Sequence, residues 1–428
     1  MEPGIILGQP PPKMHTNGNN HVKDRISELP DCVLHHILSF LETKLTVQTS
    51  ILSKRWAHLW ASVPALDFTD ESFIRNEEGW LDESDTHSFE NFVDTVLLLR
   101  DASDLRSFDL RCYHYSDGGH LLRWIRYAAK YNPKVLQIEF SPHGGNWCLP
   151  LGILPCQSLE ELTMNLRYRV NLGPPCKIMG RLRRLHIQRA DDDVDGFMEN
   201  LISSCPVLED LDVRSCQLDA LCISSSTLKR LSIKDCCIFG GDENRISIPS
   251  LVCLTYTNNI SGCTALENLS SLLNATVDTT GGDLIELCRG LANAETLKIS
   301  FPEDYQVKLP EDLSQFPVFG NLRSLALGGL FTSDMIQVVA LFLQHSSNLK
   351  TFTLTLNNRK VPSPLSMQRL KVIQKSGNFS FICPHIQLIE IQCYQMEEKL
   401  HELIKYFLMN AIGVPKLVIN RTGPIVAV

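Results

Sequence analysis

Residues 208–216 read LEDLDVRSC and residues 228–236 read LKRLSIKDC. The two stretches are one pattern repeated after 20 residues. Apolar side chains stand at the first, fourth and sixth places and a cysteine at the ninth. Alternation across the fourth to sixth places is the period of a strand with one buried face. The same frame extends outward in both directions. Upstream it gives Leu105/Phe108/Leu110, Val135/Ile138/Phe140, Leu159/Leu162/Met164 and Leu182/Leu185/Ile187. Downstream it gives Leu251/Leu254/Tyr256, a degenerate copy near Leu273–Val277, Ala294/Leu297/Ile299, Leu322/Leu325/Leu327, Leu349/Phe352/Leu354 and Ile386/Ile389/Ile391.

The central residues 162, 185, 211, 231 and 254 lie 23, 26, 20 and 23 positions apart. That spacing belongs to a leucine-rich repeat, whose period is about 20–29 residues. The repeat also places Asn or Cys after the strand, where the side chain bonds backbone groups of the turn. Cys216, Cys236, Asn259 and Asn357 stand there, three residues after Val213, Ile233, Tyr256 and Leu354. Helical pieces separate the strands: Phe197/Leu201/Ile202, 283–291 and Met335/Val339/Leu343. The expected architecture is α/β, a curved solenoid over 104–382 with a parallel sheet on its concave side. Leu400, Leu403, Ile404, Phe407 and Leu408 predict an amphipathic helix, which Gly413 and Pro415 end. Residues 416–419 predict a last strand, so 383–428 reads as a C-terminal cap.

Ahead of the array, residues 24–68 read DRISELPDCVLHHILSFLETKLTVQTSILSKRWAHLWASVPALDF. Pro30 opens a helix with Asp31 at its positive end. Val33, Leu34, Ile37, Leu38 and Leu41 follow at helical spacing. A second helix is expected over 45–52, and a third carries Trp56, Leu59, Trp60 and Val63 up to Pro64. A segment this short and apolar completes its core against another protein. Residues 1–23, rich in Pro, Gly and Asn, predict a flexible tail. Residues 69–103 predict an acidic connector, since 67–85 holds eight Asp or Glu.

Composition bounds the rest. The net charge of −8 over 428 residues argues against non-specific nucleic-acid binding. The run Arg181–Arg189 is followed at once by Asp191–Asp193, so no nucleic-acid partner is expected. No apolar run approaches the ~20 residues that span a bilayer, and Ile5–Leu7 is too short for a signal peptide. No membrane partner is expected, and residence in nucleus or cytoplasm follows. The 15 cysteines, without a Cys-x-x-Cys, read as thiols in a reducing compartment rather than zinc ligands. The five N-x-Ser/Thr sequons carry no weight without a secretion signal. There is no P-loop, G-x-S-x-G or H-E-x-x-H, so neither a catalytic centre nor a cofactor is expected.

The 24–68 segment resembles an F-box of the plant form. The resemblance rests on Leu29-Pro30, Ile37–Leu41, Leu52–Trp56, Leu59-Trp60, Val63-Pro64 and Leu66–Phe68. Ser204–Leu211 is similar to the repeats of plant F-box/LRR proteins, and 386–419 to their C-terminal FBD module. The resemblance implies docking on a Skp-type adaptor, and through it a cullin and RING subunit, while the repeats hold a protein substrate. Such a chain does no bond chemistry; it raises the local concentration of substrate. Carried over by motif, the adaptor contacts are Leu29, Pro30, Leu34, Ile37, Val47, Leu52 and Trp56, with Leu38, Leu59 and Trp60 as internal core.

Side chains between the repeat leucines point to the concave face. They are of mixed charge, which suits a protein or peptide rather than a polyanion. Arg184, Asp212, Arg230 and Lys234 are the candidate substrate contacts, a merely solvated face being the plain alternative. A scaffold outside any ligase and a small-molecule-gated receptor remain alternatives at this level.

Overall fold

In the computed structural model of the chain, the described residues are 25–26, 28–74, 83–101, 104–113, 118–140, 147–148, 157–171, 179–191, 197–239, 244–257, 264–278, 284–301, 315–329, 333–356, 385–393, 404 and 416–421. They form a curved α/β array over a parallel sheet. Its strands follow chain order: β1 Ala65–Thr69, β2 Ser107–Cys112, β3 Val135–Phe140, β4 Glu161–Asn171, β5 Arg184–Asp191, β6 Asp210–Arg214 and β7 Arg230–Lys234. Then come β8 Cys253–Thr257, β9 Asn274–Asp278, β10 Thr296–Ser300, β11 Ser324–Gly329, β12 Thr351–Leu356, β13 Leu388–Cys393 and β14 Lys416–Arg421. Each pairs in parallel with the next, in a sheet of 17 strands that also takes in three two-residue pieces. The register stacks like on like: Leu162, Leu185, Leu211, Leu231 and Leu254 form one buried ladder. The expected degenerate copy is β9, with Ala275 and Val277 in the ladder.

The turns after β6 and β7 follow from backbone strain and its relief. Ser215 and Asp235 follow these strands with φ of 51° and 55°, and Arg189, at the equivalent place within β5, has φ of 59°. This left-handed step bends the chain within the sheet at a cost of roughly 1–2 kcal/mol for a residue with a Cβ. The buried thiols of Cys216 and Cys236 then donate to the carbonyls of Arg214 and Lys234, both at 3.2 Å. Asn259 and Asn357 lie outside the described residues, as do the tail 1–23 and most of the expected C-terminal helix. The last strand is present as β14.

On the convex side, the short strands Cys222–Ser224, Arg245–Ser247 and Ala265–Glu267 make a second parallel sheet. Asn244 is wholly buried beneath it, and its Oδ1 accepts from the Leu221 N–H at 2.9 Å. Later repeats replace these strands with helices. Gly290, the last residue of the helix Leu284–Gly290, passes so close to this sheet that an added Cβ would lie 2.6 Å from the Leu266 carbonyl oxygen.

The N-terminal segment folds as α1 Asp31–Leu38, α2 Thr43–Gln48 with a 3-10 turn Thr49–Ile51, and a 3-10 helix Trp56–Ser62. It runs straight into the sheet, because its last residues are β1. The acidic stretch corrects the sequence expectation. Within 69–103, Glu83–Leu99 is a 17-residue helix, α3, and not a connector. Phe89, Val93, Val96 and Leu97 recur at helical spacing and are buried in the main core, its acids lying between them. The helix Gly118–Lys130, α4, packs beside it. Trp124 donates to Asp94 at 2.8 Å and meets Phe89 edge to face at 5.6 Å. With Phe68, Phe73 and Phe92 these rings close the first end of the array.

The seam between the helical segment and the sheet carries charge. Arg111 on β2 bonds Asp67 on β1, while its Nε is 3.6 Å from Asp109, out of hydrogen-bond reach. Glu139 is served by Tyr113 at 2.9 Å and Asn165 at 2.7 Å. Asp109 Oδ1 is buried and accepts no hydrogen bond among the described residues. Burial, with Asp67 and Glu139 nearby and against the pull of Arg111, pushes the Asp109 carboxyl up to about 7.

Two outcomes follow from these packing arguments. Gly290→Ala forces the helix off the second sheet, and a loss of about 1–3 kcal/mol is expected in urea unfolding. Asp109 binds its proton more tightly folded than unfolded, so its contribution to stability falls as pH rises from about 4 to about 7. Asp109→Asn should remove that part of the slope. The gap between urea midpoints at pH 5 and pH 8 should narrow, with the variant the more stable at pH 8.

Candidate functional site: an apolar helical face and a charged concave sheet

Two surfaces stand out, joined by one backbone. The first lies on the N-terminal helices. Leu34, Leu38, Trp56, Leu59 and Val63 form their small core, with Leu29 packed against it. Around it Ile26, Val33, Ile37, Phe40, Leu41, Leu45, Ile51 and Leu52 are exposed, Phe40 to 75% and Ile51 to 86%. So many large apolar side chains within one short segment mark a docking surface. The helical stripe of α1 is thus two stripes: Leu34 and Leu38 face inward, and Val33, Ile37 and Leu41 face solvent.

This geometry sorts the seven expected adaptor contacts. Pro30, Ile37 and Leu52 are exposed, and Val47 is half-buried against the main core. Leu34 and Trp56, also expected as adaptor contacts, are instead buried at the centre of the internal core, at 0% and 6% exposure. Leu29 is half-buried on that core. Its carbonyl accepts from Arg55 at 2.5 Å, and Arg55 also bonds Asp31 at 2.5 Å. Leu38 and Leu59 are internal as expected; Trp60 packs on the solenoid core instead. The large apolar residues exposed on this segment outside those seven are Ile26, Val33, Phe40, Leu41, Leu45 and Ile51. Val33 and Leu41 lay in the α1 stripe itself, and the signal for Phe40, Leu45 and Ile51 was apolar character outside it.

The helical segment is fastened to the array through α2 and the end of α3. Thr43 Oγ1 accepts from the Asp67 N–H at 2.8 Å. The Lys44 ammonium donates to the Ser72 carbonyl and lies 4.1 Å over the Phe73 ring. The Asp101 N–H donates to the Ala61 carbonyl at 3.1 Å, and Ser62 to the Asp101 carboxylate at 2.5 Å.

The second surface is the concave face of β4–β7. Arg184 pairs with Glu161, and Arg230 with Asp210 at 2.8 Å. Asp212 accepts from Arg214 at 2.6 Å and lies 3.1 Å from His186 Nδ1. Burial opposes ionisation of Asp212, but those bonds outweigh it and hold its carboxyl well below the usual range. Three of the four expected substrate contacts are therefore matched within the chain. Lys234 makes no ion pair among the described residues. Such exposed pairs are worth at most about 1 kcal/mol each. Like charges on adjacent strands would repel, so the alternation favours the observed register.

Among the described residues there is no His/Cys/Asp/Glu group that could hold a metal and no helix long and apolar enough to cross a membrane. Residues 26–67 match the family model of the F-box domain. Residues 121–261 match that of the LRR repeats of the FBD-associated F-box protein At5g56370. The chain is 33% identical over 327 residues to the Arabidopsis thaliana F-box/LRR-repeat protein At3g58880, covering 71% of each. It is 28% identical over 431 residues to the F-box/FBD/LRR-repeat protein At5g44950 of the same plant, covering 93% of this chain and 92% of that one. With an N-terminal helical segment running into a ladder of leucine-rich strands, and relatives that match over both, the chain belongs to the plant F-box/LRR-repeat family.

Proposed function

We propose that the chain is the substrate-recognition subunit of a Skp–cullin–F-box type ubiquitin ligase, working in nucleus or cytoplasm. The observation that carries this reading is the exposed apolar face of an F-box whose own core is five side chains. F-box domains in general bind Skp-type adaptors, and this face is the surface such an adaptor covers. Ile37, Phe40, Ile51 and Leu52 supply its apolar area, and Pro30 fixes the chain at its edge. The adaptor brings the cullin and RING subunit, and the concave sheet holds a protein substrate. The chain contributes no reacting group; it contributes proximity. The bonds through Thr43, Lys44 and Asp101 keep the two surfaces in fixed relation.

In this reading Ile37→Asp with Leu52→Asp abolishes co-purification of a Skp-type adaptor and its cullin, with the repeat region still folded by circular dichroism. Leu34→Ala weakens the same interaction only as far as it unfolds the F-box. Undiminished co-purification by the double variant would refute the assignment. On the concave face, Lys234→Glu is expected to lose more partners in proximity labelling with the proteasome blocked than Arg184→Glu, whose partner Glu161 already occupies it. Equal labelling by wild type and by the reversal of Arg184, Asp212, Arg230 and Lys234 together would remove this face from substrate binding.

A further inference from the structure

The residue that precedes each strand forms a rim along one edge of the sheet. Each backbone N–H on the rim donates to the rim carbonyl of the preceding repeat. The charged rim opens with Arg106, before β2, and continues through Lys134, Glu160, Arg183, Glu209 and Lys229, so from Lys134 onward the charge changes sign at every step. Three pairs result: Lys134–Glu160 at 3.1 Å, Arg183–Glu209 at 2.6 Å and Lys229–Glu209 at 3.0 Å. Val252 and Leu273 follow. The rim then reads Glu295, Arg323, Lys350 and Gln387, linked by N–H to carbonyl bonds of 2.8 Å at each step.

The alternation fails at this second charged stretch. Arg323 and Lys350 are neighbours with no carboxylate between them, about 4.8 Å apart at the backbone. Glu295 reaches only Arg323, at 4.0 Å, and Lys350 has no carboxylate partner among the described residues. Adjacent like charges are unfavourable; the rim's earlier like-charged neighbours are Arg106 and Lys134, and there Lys134 is drawn to Glu160 at 3.1 Å. Arg323 and Lys350 also line a cleft of about 540 Å³, together with Glu295, His385, Asn321 and Asn348. A cleft of that size admits a small polar group rather than only water. The Asn348 amide is taken by the Gly320 carbonyl at 2.7 Å, but the Arg323 guanidinium and the Lys350 ammonium face a single carboxylate, Glu295, and that excess of positive charge suits an oxyanion.

We propose that this cleft binds a compact oxyanion, a phosphoryl group or clustered carboxylates. The site is separate from the concave face and does not depend on the ligase reading. Full-length chain would be titrated calorimetrically with sodium pyrophosphate at low salt. The same titration would be run on Arg323→Ala with Lys350→Ala, and on Arg183→Ala with Lys229→Ala, which removes two cations from the alternating part of the rim. Wild type and the Arg183/Lys229 control are expected to bind alike, and the Arg323/Lys350 variant at least tenfold more weakly. Equal weakening in both variants, or no binding by wild type, would overturn the proposal. A phosphoserine peptide and its aspartate counterpart, titrated in the same way, distinguish the sources. Binding of the first alone assigns a phosphoryl group, and binding of both assigns carboxylates as well.

Discussion

No repeat of this chain can bury its leucines by itself, and the rest of the structure follows from that constraint. A strand of five or six residues presents two or three apolar side chains to one side, each worth about 1.5–3 kcal/mol when fully buried. Only the strand before and the strand after can cover them, so the stack must be in register and must have ends. At the first end the cover is built from elements outside the repeat pattern: β1, α3, α4 and the rings of Phe73, Phe89 and Trp124. The F-box is therefore not a bead on a linker. Its last strand is the first rung of the sheet.

Charge is arranged by the same stacking. Because equivalent positions of successive repeats lie side by side, any charge at such a position meets the charge one repeat later. Alternating signs at Glu161, Arg184, Asp210 and Arg230 turn that adjacency into attraction. This changes how a mixed-charge face is read. Arg184 and Arg230 are first of all partners of their neighbours, and the informative cations are those the pattern leaves unmatched, Lys234 on the face and Lys350 on the rim.

The solenoid was legible in the sequence because its signal is redundant: eleven clear copies of one frame, with cysteines marking the turns. The degenerate copy at β9 fell into place by the same spacing. The helix α3 was misread because composition was weighed over periodicity. Its acids dominate the count, yet Phe89, Val93, Val96 and Leu97 sit on one face. In the F-box, motif positions named the right segment but did not separate its core from its surface. Leu34 and Trp56 are as apolar as Ile37 and Leu52, and only their places on the helices separate core from surface.

That division explains why so small a segment can be folded and still present a sticky face. Five core side chains are few for a stable unit. Turning Ile37, Phe40, Ile51 and Leu52 inward would enlarge the core and remove the docking surface. The chain instead draws stability from the array. Thr43 caps the backbone of β1, Lys44 lies on Phe73, and Ala61 accepts from Asp101, two residues past the end of α3. The apolar face can stay outward because the helices that bear it are held from behind. The fixed relation of the two surfaces comes from those same contacts.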